Sequence, residues 1–419
     1  MQLCVFEDDL IDHLLPIVHT RAVYDVRIGM RSQLTAIRDA FERPPTVLHA
    51  RRIVAGITAL ENDLPVNQVA GGANVLFVNG RWIPEEGEQL NRIRRTTQGS
   101  EPRLFLSGDE VVAAWVPNAR ANLARGDALG EETFEGILRE DLGEVRFIRR
   151  LWDLQNELEA AIRRDFALLT KGLYIYERPG VIVQEGAILA ASEQIYIGSG
   201  SVVRPGAILN AEYGPIYIGE NVEIKEAGII KGPAFVGSKS VIMTDADIEC
   251  CSFGHLCKVG GQVEETIFDS LSNKAHSGFL GNAYIGRWCN LGADTNNSNL
   301  KNDYGKVKMY DAVAGDFEAS GRQFLGLVMG DHSKTGINTM FNTGTVVGVF
   351  CNLFGAGFMP RFIPCFSWGG AGEFQEYRLD KALRVAEAVM ARRDRSLSDA
   401  ERENLTAVFD ATREEEMMN

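Results

Sequence analysis

The chain has 419 residues, of which 45% are hydrophobic and 24% are charged, a composition typical of a soluble globular protein with two or three domains. The net charge of −14 argues against a general role in binding nucleic acid or a membrane surface, although a few local cations can still hold a phosphorylated small molecule. Seven cysteines without a CxxC pair, no signal peptide and no apolar run long enough to cross a bilayer predict a cytoplasmic protein with reduced thiols.

Residues 1–150 alternate between strand and helix patterns. Gln2–Phe6 and Asn74–Asn79 are typical of buried strands, Met30–Phe41 has helical spacing, and Ser107-Gly108-Asp109 is the turn of a predicted hairpin. This alternation predicts an α/β domain with a mixed sheet.

Helices are predicted on both sides of the central part of the chain. Asp153–Leu169 places its apolar residues on one face and is predicted as a linker helix within residues 151–172. Residues 369–419 are predicted to be helical as well. Glu373–Arg393 has an amphipathic pattern there, and the capping box Ser398-x-x-Glu401 opens a last helix.

In the central part of the chain an aliphatic residue recurs at every sixth position. The longest unbroken series is Ile218, Ile224, Ile230, Val236, Ile242 and Ile248, and a second series runs from Met329 to Met359. A helix would need a period of 3.6 residues and a simple strand a period of 2, whereas a period of six fits a parallel β-helix with one hexad on each face. Glycines beside the aliphatic residues permit the positive φ that tight corners need. We therefore predict a β-helix over residues 173–368, a fold that many acyltransferases share.

One segment of this repeat carries a more specific pattern. Residues 272–309 resemble the acetyltransferase segment of the bifunctional N-acetylglucosamine-1-phosphate uridyltransferase and glucosamine-1-phosphate acetyltransferase family. His276 stands at the histidine of that family, and its H-L-x-Y-x-G-D-A-x-I-G-x-x-x-N-I-G-A-G-T pattern is kept in spacing by Gly281, Ile285-Gly286, Asn290, Gly292-Ala293 and Thr295. Over residues 1 to about 370 the chain is similar to a divergent branch with a shortened nucleotidyltransferase-like domain. Its marks are Thr20-Arg21, Arg27-Ile28-Gly29, Asn79-Gly80-Arg81 and Asn273-Lys274-Ala275-His276.

The resemblance implies a left-handed β-helix, a homotrimer and acetyl transfer from acetyl-CoA. His276 would be the general base, because the ordinary pKa of an imidazole lies near neutrality. Asn290 would position the substrate or support the oxyanion, and Asn299 falls where the family has the asparagine of its C-N-Y-D-G motif. Nearby cations would hold a sugar phosphate: Lys274, Lys301, Lys306 and Lys308. The alternative for each of these residues is a structural role in a turn or on a solvated face. Phe279 replaces the tyrosine of the family and removes one hydroxyl contact.

For the first domain the resemblance implies transfer of a nucleotidyl group. This chemistry needs a cradle for the triphosphate, cations and carboxylates that bind Mg²⁺. Arg21 and Arg27 are predicted to clamp phosphates, and Asp8 or Asp9 to meet the metal at the end of the first strand. The glycine-rich loop of ordinary members is absent, and the metal aspartate that follows a later strand as G-D is replaced in Gly80-Arg81. An active domain and a degenerate one both fit these residues.

The sequence therefore predicts an enzyme that acetylates glucosamine 1-phosphate and joins the product to UTP. A single-activity nucleotidyltransferase, for example of glucose 1-phosphate with dTTP, and an assembly scaffold with vestigial pockets are the alternatives. A zinc site is disfavoured, because His255, His276 and His332 have no short paired spacing and no Cys/His cluster accompanies them.

Overall fold

The structure, a computed structural model, describes residues 1–120, 128–171 and 179–418. Its chain divides into two compact units. Unit 1 comprises Met1–Val26, Arg31–Leu151 and Ser398–Ala411, and unit 2 comprises Arg27–Met30, Trp152–Leu397 and Thr412–Asn419. The predicted boundary at residues 172 and 173 lies outside the described residues.

Unit 1 is built on one mixed sheet, which confirms the predicted α/β class. The strands are β1 (Gln2–Phe6), β2 (Val47–Leu48), β3 (Val75–Asn79), β4 (Arg103–Ser107), β5 (Glu110–Val116) and β6 (Leu138–Asp141). They lie in the order β2-β1-β3-β5-β4-β6. The pairs of β1 with β2 and β3 and of β4 with β6 are parallel, while β5 runs antiparallel to β3 and β4. Parallel β1 and β3 therefore end at the same edge, where Glu7 and Asp8 follow one strand and Gly80 and Arg81 the other.

Four helices belong wholly or mostly to unit 1. They are α1 (Gln33–Ala40), α2 (Arg52–Asn62), α3 (Glu88–Thr96) and α6 (Asp399–Met418). The helices α4 (Asp153–Leu169) and α5 (Leu379–Ala391) lie between α3 and α6 in the chain and belong to unit 2. The predicted capping box of α6 is confirmed, because the Glu401 carboxylate accepts from the Ser398 backbone N–H at 2.8 Å and the Ser398 hydroxyl accepts from the Glu401 N–H at 3.2 Å. None of the described helices combines the length and the apolar character that a membrane span requires.

Unit 2 contains a parallel β-helix with three faces, which confirms the prediction from the six-residue period. Face A consists of Ile182–Val183, Val202–Val203, Glu223–Ile224, Val241–Ile242, Lys258–Val259, Asn273–Lys274, Lys334–Thr335, Asn352–Leu353 and Ser367–Gly370. Face B consists of Ile188–Ala190, Ile208–Asn210, Ile229–Lys231, Asp247–Glu249, Gln262–Glu264, Phe279–Gly281, Asn296–Asn297 and Met340–Phe341. Face C consists of Ile195–Ile197, Ile216–Ile218, Ala234–Val236, Ser252–Phe253, Ile267–Phe268, Tyr284–Ile285, Leu327–Met329, Thr345–Val347 and Phe362–Ile363.

The repeat series follows these faces in turn. Ile218 pairs with Val236, Ile224 with Ile242 and Ile230 with Ile248, so three hexads complete one coil. All six side chains of this series are fully buried in one continuous core. Stacking of like residues inside the coils is the main source of apolar burial in such a solenoid.

Within residues 179–418 the regular coils are interrupted once, and they are closed at the C-terminal end. Residues 298–326 leave the β-helix and carry a hairpin, Lys308–Asp311 with Asp316–Ala319, before face C resumes. At the end, Glu373–Glu376 pairs antiparallel with Ser367–Gly370, and only then does α5 (Leu379–Ala391) begin. The prediction of helix from Glu373 was therefore wrong for these residues, because their backbone groups satisfy the open edge of the last coil. The helix α4 spans Asp153–Leu169.

Candidate functional site

The corners that join face A to face B differ in length at one coil. Four residues form the corner in most of the early coils, as in 225–228, 243–246 and 275–278. Between Lys258–Val259 and Gln262–Glu264 only Gly260 and Gly261 remain. A connection two residues shorter runs closer to the axis of the β-helix, so this corner is set back from the next one.

His276 lies on that next corner. It is the second of the four residues 275–278, and its side chain is exposed. Among the residues that the structure describes, no carboxylate or carbonyl is bonded to its ring. The neighbouring Ser277 hydroxyl bonds to the Asp294 carboxylate at 2.5 Å, which ties this corner to the following coil. The structure therefore presents one imidazole at the surface beside a recessed corner.

Lys274 does not contact solvent, which corrects its prediction as a surface cation for substrate. It takes an inward position, paired with Val259 of the coil before, and is 0% exposed. Its ammonium donates to the carbonyl oxygens of Gly260, His276 and Ser277 at 2.9, 3.0 and 3.3 Å. Burial lowers the pKa of Lys274 to about 8, although the negative charge of Asp294 acts in the opposite direction and raises it. Its three donors are used inside the coil, so it is not available to bind a phosphate.

The other predicted residues of the acetyltransferase site lie at two further places. Asn290 is exposed on the outer side of face A, bridged to Asn273 on one coil and Lys334 on another. Asn299 is half-buried at the start of the 298–326 insertion, where its amide donates to the side-chain oxygen of Asn282 at 2.8 Å. The structure thus gives Asn299 a role in fixing the insertion.

A cavity of about 480 Å³ lies beside the insertion and brings several cations together. It is lined by Ser298, Leu300, Lys301, Asn302, Lys306, Lys308, Asn342, Thr343 and Arg361. Lys301 pairs with Asp303 at 3.1 Å, whereas Lys306 and Lys308 are exposed. Four cations around one opening can hold an anionic group such as a phosphate. His276 does not line this cavity. It precedes the face B strand Phe279–Gly281, whereas Ser298 and Asn342 of the cavity follow face B strands of later coils.

Arg361 is the one cation lining this cavity that the sequence analysis did not predict. Its Nε donates to the Thr343 carbonyl at 3.2 Å, its Nη2 donates to the Lys308 carbonyl, and the guanidinium lies 4.5 Å from the centre of the Phe317 ring. Burial lowers the pKa of this arginine from its ordinary value. It joins the cavity from a later coil, and no local motif marks it.

The acidic turn of unit 1 is closed by an arginine. Asp8 accepts from Arg81 through both oxygens, at 2.7 Å from Nε and 2.5 Å from Nη2, and also from the Asn79 amide at 2.7 Å. Arg81 reaches Glu110 at 2.7 Å as well. Burial opposes the charge of Arg81, but the hydrogen bonds and charges of Asp8 and Glu110 outweigh it and raise the pKa of the guanidinium.

These contacts do not fit the Mg²⁺ site that was predicted at Asp8 and Asp9. The oxygens of Asp8 are taken by a cation of the protein itself, and Asp9 is exposed next to it. Glu7 is also engaged, with Arg51 and two backbone amides. Within residues 1–120, 128–171 and 179–418 no group of three or more His, Cys, Asp or Glu side chains is placed to hold a metal ion.

The two arginines that were predicted to clamp nucleotide phosphates are not brought together as a clamp. Arg21 is 0% exposed in the interior of unit 1. Arg27 belongs to unit 2, where it donates to the Met30 carbonyl at 2.5 Å and lies 5.6 Å from the centre of the Phe235 ring. The segment continues with Gly29, whose carbonyl accepts from the Ser252 hydroxyl at 2.6 Å. The Arg27-Ile28-Gly29 motif is therefore a β-helix contact in this structure. A smaller cavity of unit 1, about 300 Å³ beside Met1, Arg43 and Arg94, contains none of the predicted residues.

Comparison with known proteins bears on the first part of the chain most directly. Residues 3–173 match a family model described as "Sugar nucleotidyl transferase". This part of the chain is similar to sugar nucleotidyl transferases. The matching residues include all six strands of unit 1 apart from Gln2, and they extend through α4. The closed acidic turn with Arg81 therefore lies inside the matched region.

Two curated relatives are similar to shorter stretches. The chain is 32% identical over 119 residues, 28% of either protein, to the "Bifunctional sugar-1-phosphate nucleotidylyltransferase/acetyltransferase" of Sulfurisphaera tokodaii. It is 34% identical over 90 residues to the "Bifunctional protein GlmU" of Methanocaldococcus jannaschii, covering 22% of this chain and 21% of that protein. The alignments thus span less than a third of either relative. They confirm the resemblance to the bifunctional family that the motifs indicated.

Solved structures match the chain at lower identity. The UDP-N-acetylglucosamine acyltransferase of Arabidopsis is 15% identical, with a TM-score of 0.24, and the match covers 53% of this chain and 80% of that one. The enzyme of the same name from Francisella novicida gives 14% identity and a TM-score of 0.22 over 56% and 90% of the two chains. Such values do not bear on function.

Proposed function

We propose that the protein is a bifunctional cytoplasmic transferase of amino-sugar nucleotide synthesis. The β-helix would transfer an acetyl group from acetyl-CoA to glucosamine 1-phosphate, and the nucleotidyl transferase domain would join the N-acetylated product to UTP. Support comes from the family match of residues 3–173 and from a relative whose name states both activities. The observation that carries the acetyl-transfer half is the exposed His276 at the motif histidine, beside the recessed Gly260-Gly261 corner.

In the proposed reaction the lone pair of the sugar amine attacks the carbonyl carbon of the thioester. A carbon–nitrogen bond forms, the carbon–sulfur bond breaks, and coenzyme A leaves as a thiolate, which becomes the thiol when it takes a proton from the His276 imidazolium or from solvent. His276 accepts the proton that the amine loses, which is the task for which an exposed imidazole is suited. Asn290 is proposed to orient the substrate from the outer side of face A. Negative charge develops on the thioester oxygen during the attack and must be stabilised by hydrogen-bond donors. The Asn290 amide is the candidate donor on this surface.

The cations of the insertion are proposed to hold the phosphate of the sugar. Lys301, Lys306 and Lys308 were predicted for this role, and the cavity adds Arg361 to them. Asn299 would contribute indirectly, by fixing the start of the insertion through Asn282. The cavity and His276 lie at different corners of one chain, so the proposal includes a homotrimer in which neighbouring copies bring the two corners together.

For the nucleotidyl transferase domain we propose uridylyl transfer without a role for Asp8 as a metal ligand. Mg²⁺ does not fit the acidic turn, because Arg81 occupies the Asp8 carboxylate. The same contact favours a second candidate for this domain, namely a degenerate unit that binds a sugar nucleotide but does not transfer a nucleotidyl group. Release of pyrophosphate distinguishes the two.

The test follows both half-reactions on the purified protein. Free thiol is measured with acetyl-CoA and glucosamine 1-phosphate, and pyrophosphate is measured separately with UTP, Mg²⁺ and N-acetylglucosamine 1-phosphate. N-acetylglucosamine 1-phosphate, whose amine is blocked, is the control acceptor in the thiol assay. We expect thiol release only with the free amine. Equal thiol release with both acceptors, or none with either, would refute acetyl transfer, and absence of pyrophosphate would favour the degenerate domain.

A further inference from the structure

One charged side chain interrupts the inward ladder of face A. Successive coils place Val203, Ile224, Ile242, Val259 and then Lys274 at the same inward position. A lysine inside an apolar stack loses the hydration of its charge, and the cost is offset only where other polar groups bind the ammonium. Lys274 is therefore expected to serve something other than packing.

The recessed corner creates the space and the partners for this ammonium. The two-residue corner leaves the Gly260 carbonyl facing the interior. The Lys274 Nζ donates to this carbonyl at 2.9 Å and also donates to the His276 and Ser277 carbonyls of its own corner. Gly261 has φ +72°, and a Cβ there would lie 2.8 Å from the Lys274 Nζ and 3.0 Å from the His276 carbonyl. Both glycines are thus required by the approach of the lysine and of the corner above it.

We propose that Lys274 is a positioning residue for His276, which holds the exposed imidazole at its place by binding the backbone of the corner from inside the β-helix. The His276 carbonyl and the Ser277 carbonyl are fixed to one ammonium, and that ammonium is fixed to the preceding coil through Gly260. The inference rests on the proposed function where it concerns catalysis. The structural coupling between Lys274 and residues 275–278 does not depend on it.

Two substitutions isolate this role. Lys274→Met keeps the length of the side chain and removes its three donors, whereas Lys274→Arg keeps a cation with donors. The matched control is Ile224→Ala, which shortens a fully buried side chain of the same ladder three coils away and lowers stability without touching the corner. All assays are made well below the unfolding temperature of each variant, so that loss of fold does not enter the comparison.

Hydrogen exchange measured by mass spectrometry reports the coupling directly. In Lys274→Met we expect the amides of residues 275–278 to exchange on the order of tenfold faster, since local opening is no longer opposed by the ammonium. In Ile224→Ala these amides should keep the exchange rates of the wild type. Unchanged exchange in Lys274→Met would overturn the proposal.

Acetyl transfer supplies the second readout. We expect Lys274→Met to lower kcat by on the order of tenfold, since a misplaced general base acts mainly on the chemical step, with KM for glucosamine 1-phosphate changed less than about twofold. Lys274→Arg should restore part of kcat. If the wild type transfers acetyl and Lys274→Met has the same kcat, the positioning role is wrong while the proposed function stands. If the wild type transfers no acetyl but exchange at 275–278 still rises, the proposed function fails and the coupling stands.

If Lys274→Met does not fold, Gly261→Ala gives a second test. Its added Cβ would lie 2.7 Å from the Gly278 carbonyl, 2.8 Å from the Lys274 Nζ and 3.0 Å from the His276 carbonyl, so it would press on both the ammonium and the corner that the ammonium binds. Faster exchange at 275–278 is expected, and wild-type exchange there would refute the proposal.

Discussion

The acidic turn of unit 1 and the His276 corner of unit 2 each contain a buried cation, but the two cations have opposite surroundings. Arg81 is bound by the carboxylates of Asp8 and Glu110, and its pKa is raised. Lys274 is bound by three neutral carbonyls, and its pKa is lowered to about 8. In the first arrangement the Asp8 carboxylate, which was predicted to bind Mg²⁺ for nucleotidyl transfer, is already bound by Arg81. The second leaves the reactive side chain, His276, at the surface.

The difference teaches which half of the molecule is prepared for reaction. In unit 1 the Asp8 carboxylate that was predicted to bind a metal is bound by Arg81, whereas in unit 2 an imidazole and a cavity with four cations face outward. Substitution should therefore cost stability at the acidic turn and activity at the corner.

The largest expected effect is on acetyl transfer in His276→Ala. Loss of a positioned general base typically lowers a rate by about 10²–10⁴-fold, so kcat for thiol release should fall by that factor with little change in unfolding temperature. Glu226→Ala is the matched control, because Glu226 is an exposed second residue of an ordinary four-residue corner. Equal kcat values for thiol release in His276→Ala and Glu226→Ala would show that the His276 corner has no special role in acetyl transfer.

Arg81→Met should have the opposite profile. Removing one partner of a buried ion pair leaves Asp8 with an uncompensated charge, which typically costs about 3–5 kcal/mol of unfolding free energy. Arg95→Met is the control, because Arg95 and Glu88 form a pair with side chains 61% and 69% exposed, for which about 1 kcal/mol or less is expected. Denaturant unfolding measures both. A variant of Arg81 that keeps its stability and gains pyrophosphate release would show that the arginine only blocks a working site.

The lowered pKa of Lys274 predicts how stability depends on pH. Between about pH 8 and the ordinary lysine value of 10.5, the folded chain has lost this proton while the unfolded chain still binds it. Stability from this group therefore rises with pH across that window, by up to about 3 kcal/mol for a shift of this size. The unfolding free energy of the wild type minus that of Lys274→Met, measured from pH 7 to pH 10, should increase. A flat difference would contradict the buried charge.

The smallest expected effect concerns the cation cavity. Lys306→Met removes one exposed charge from its lining and should raise KM for glucosamine 1-phosphate by about tenfold at low salt, the scale of one hydrogen bond to a charged group. The effect should shrink as ionic strength increases. Lys239→Met, at an exposed lysine outside the cavity, should leave KM unchanged. An equal change of KM in Lys306→Met and Lys239→Met would show that Lys306 acts only through the overall charge of the protein and not through the cavity.

The fold could be predicted from local periodicity, because each hexad from Ile218 to Ile248 contributes one buried residue to one face. The alternation of Gln2–Phe6 with helical segments likewise predicted the mixed sheet. The site was predicted only in part. His276 lies in a motif, and Lys301, Lys306 and Lys308 were predicted as cations near it in sequence; the three lysines do share one cavity.

The errors have a common physical cause, namely contacts between residues distant along the chain. Lys274 pairs with Val259 across only 15 positions, whereas Ile242 pairs with Ile224 across 18, and the two-residue corner at Gly260-Gly261 accounts for most of this shortening. Arg81 reaches Asp8 across 73 positions, and Arg361 reaches the cavity from a later coil. Arg27 was assigned to a nucleotide site because its neighbours in sequence belong to unit 1, although its own contacts are with the β-helix.

The most direct test of the account follows the acetyl carbon itself. With acetyl-CoA labelled at the carbonyl carbon and glucosamine 1-phosphate as acceptor, the product is examined by carbon NMR for the wild type, His276→Ala and Glu226→Ala. We predict that the label appears as an amide carbon on the sugar nitrogen in the wild type and in Glu226→Ala, and that it stays in the thioester in His276→Ala. Label recovered as free acetate, or amide formed at the same rate without His276, would contradict the assignment of acetyl transfer to this corner.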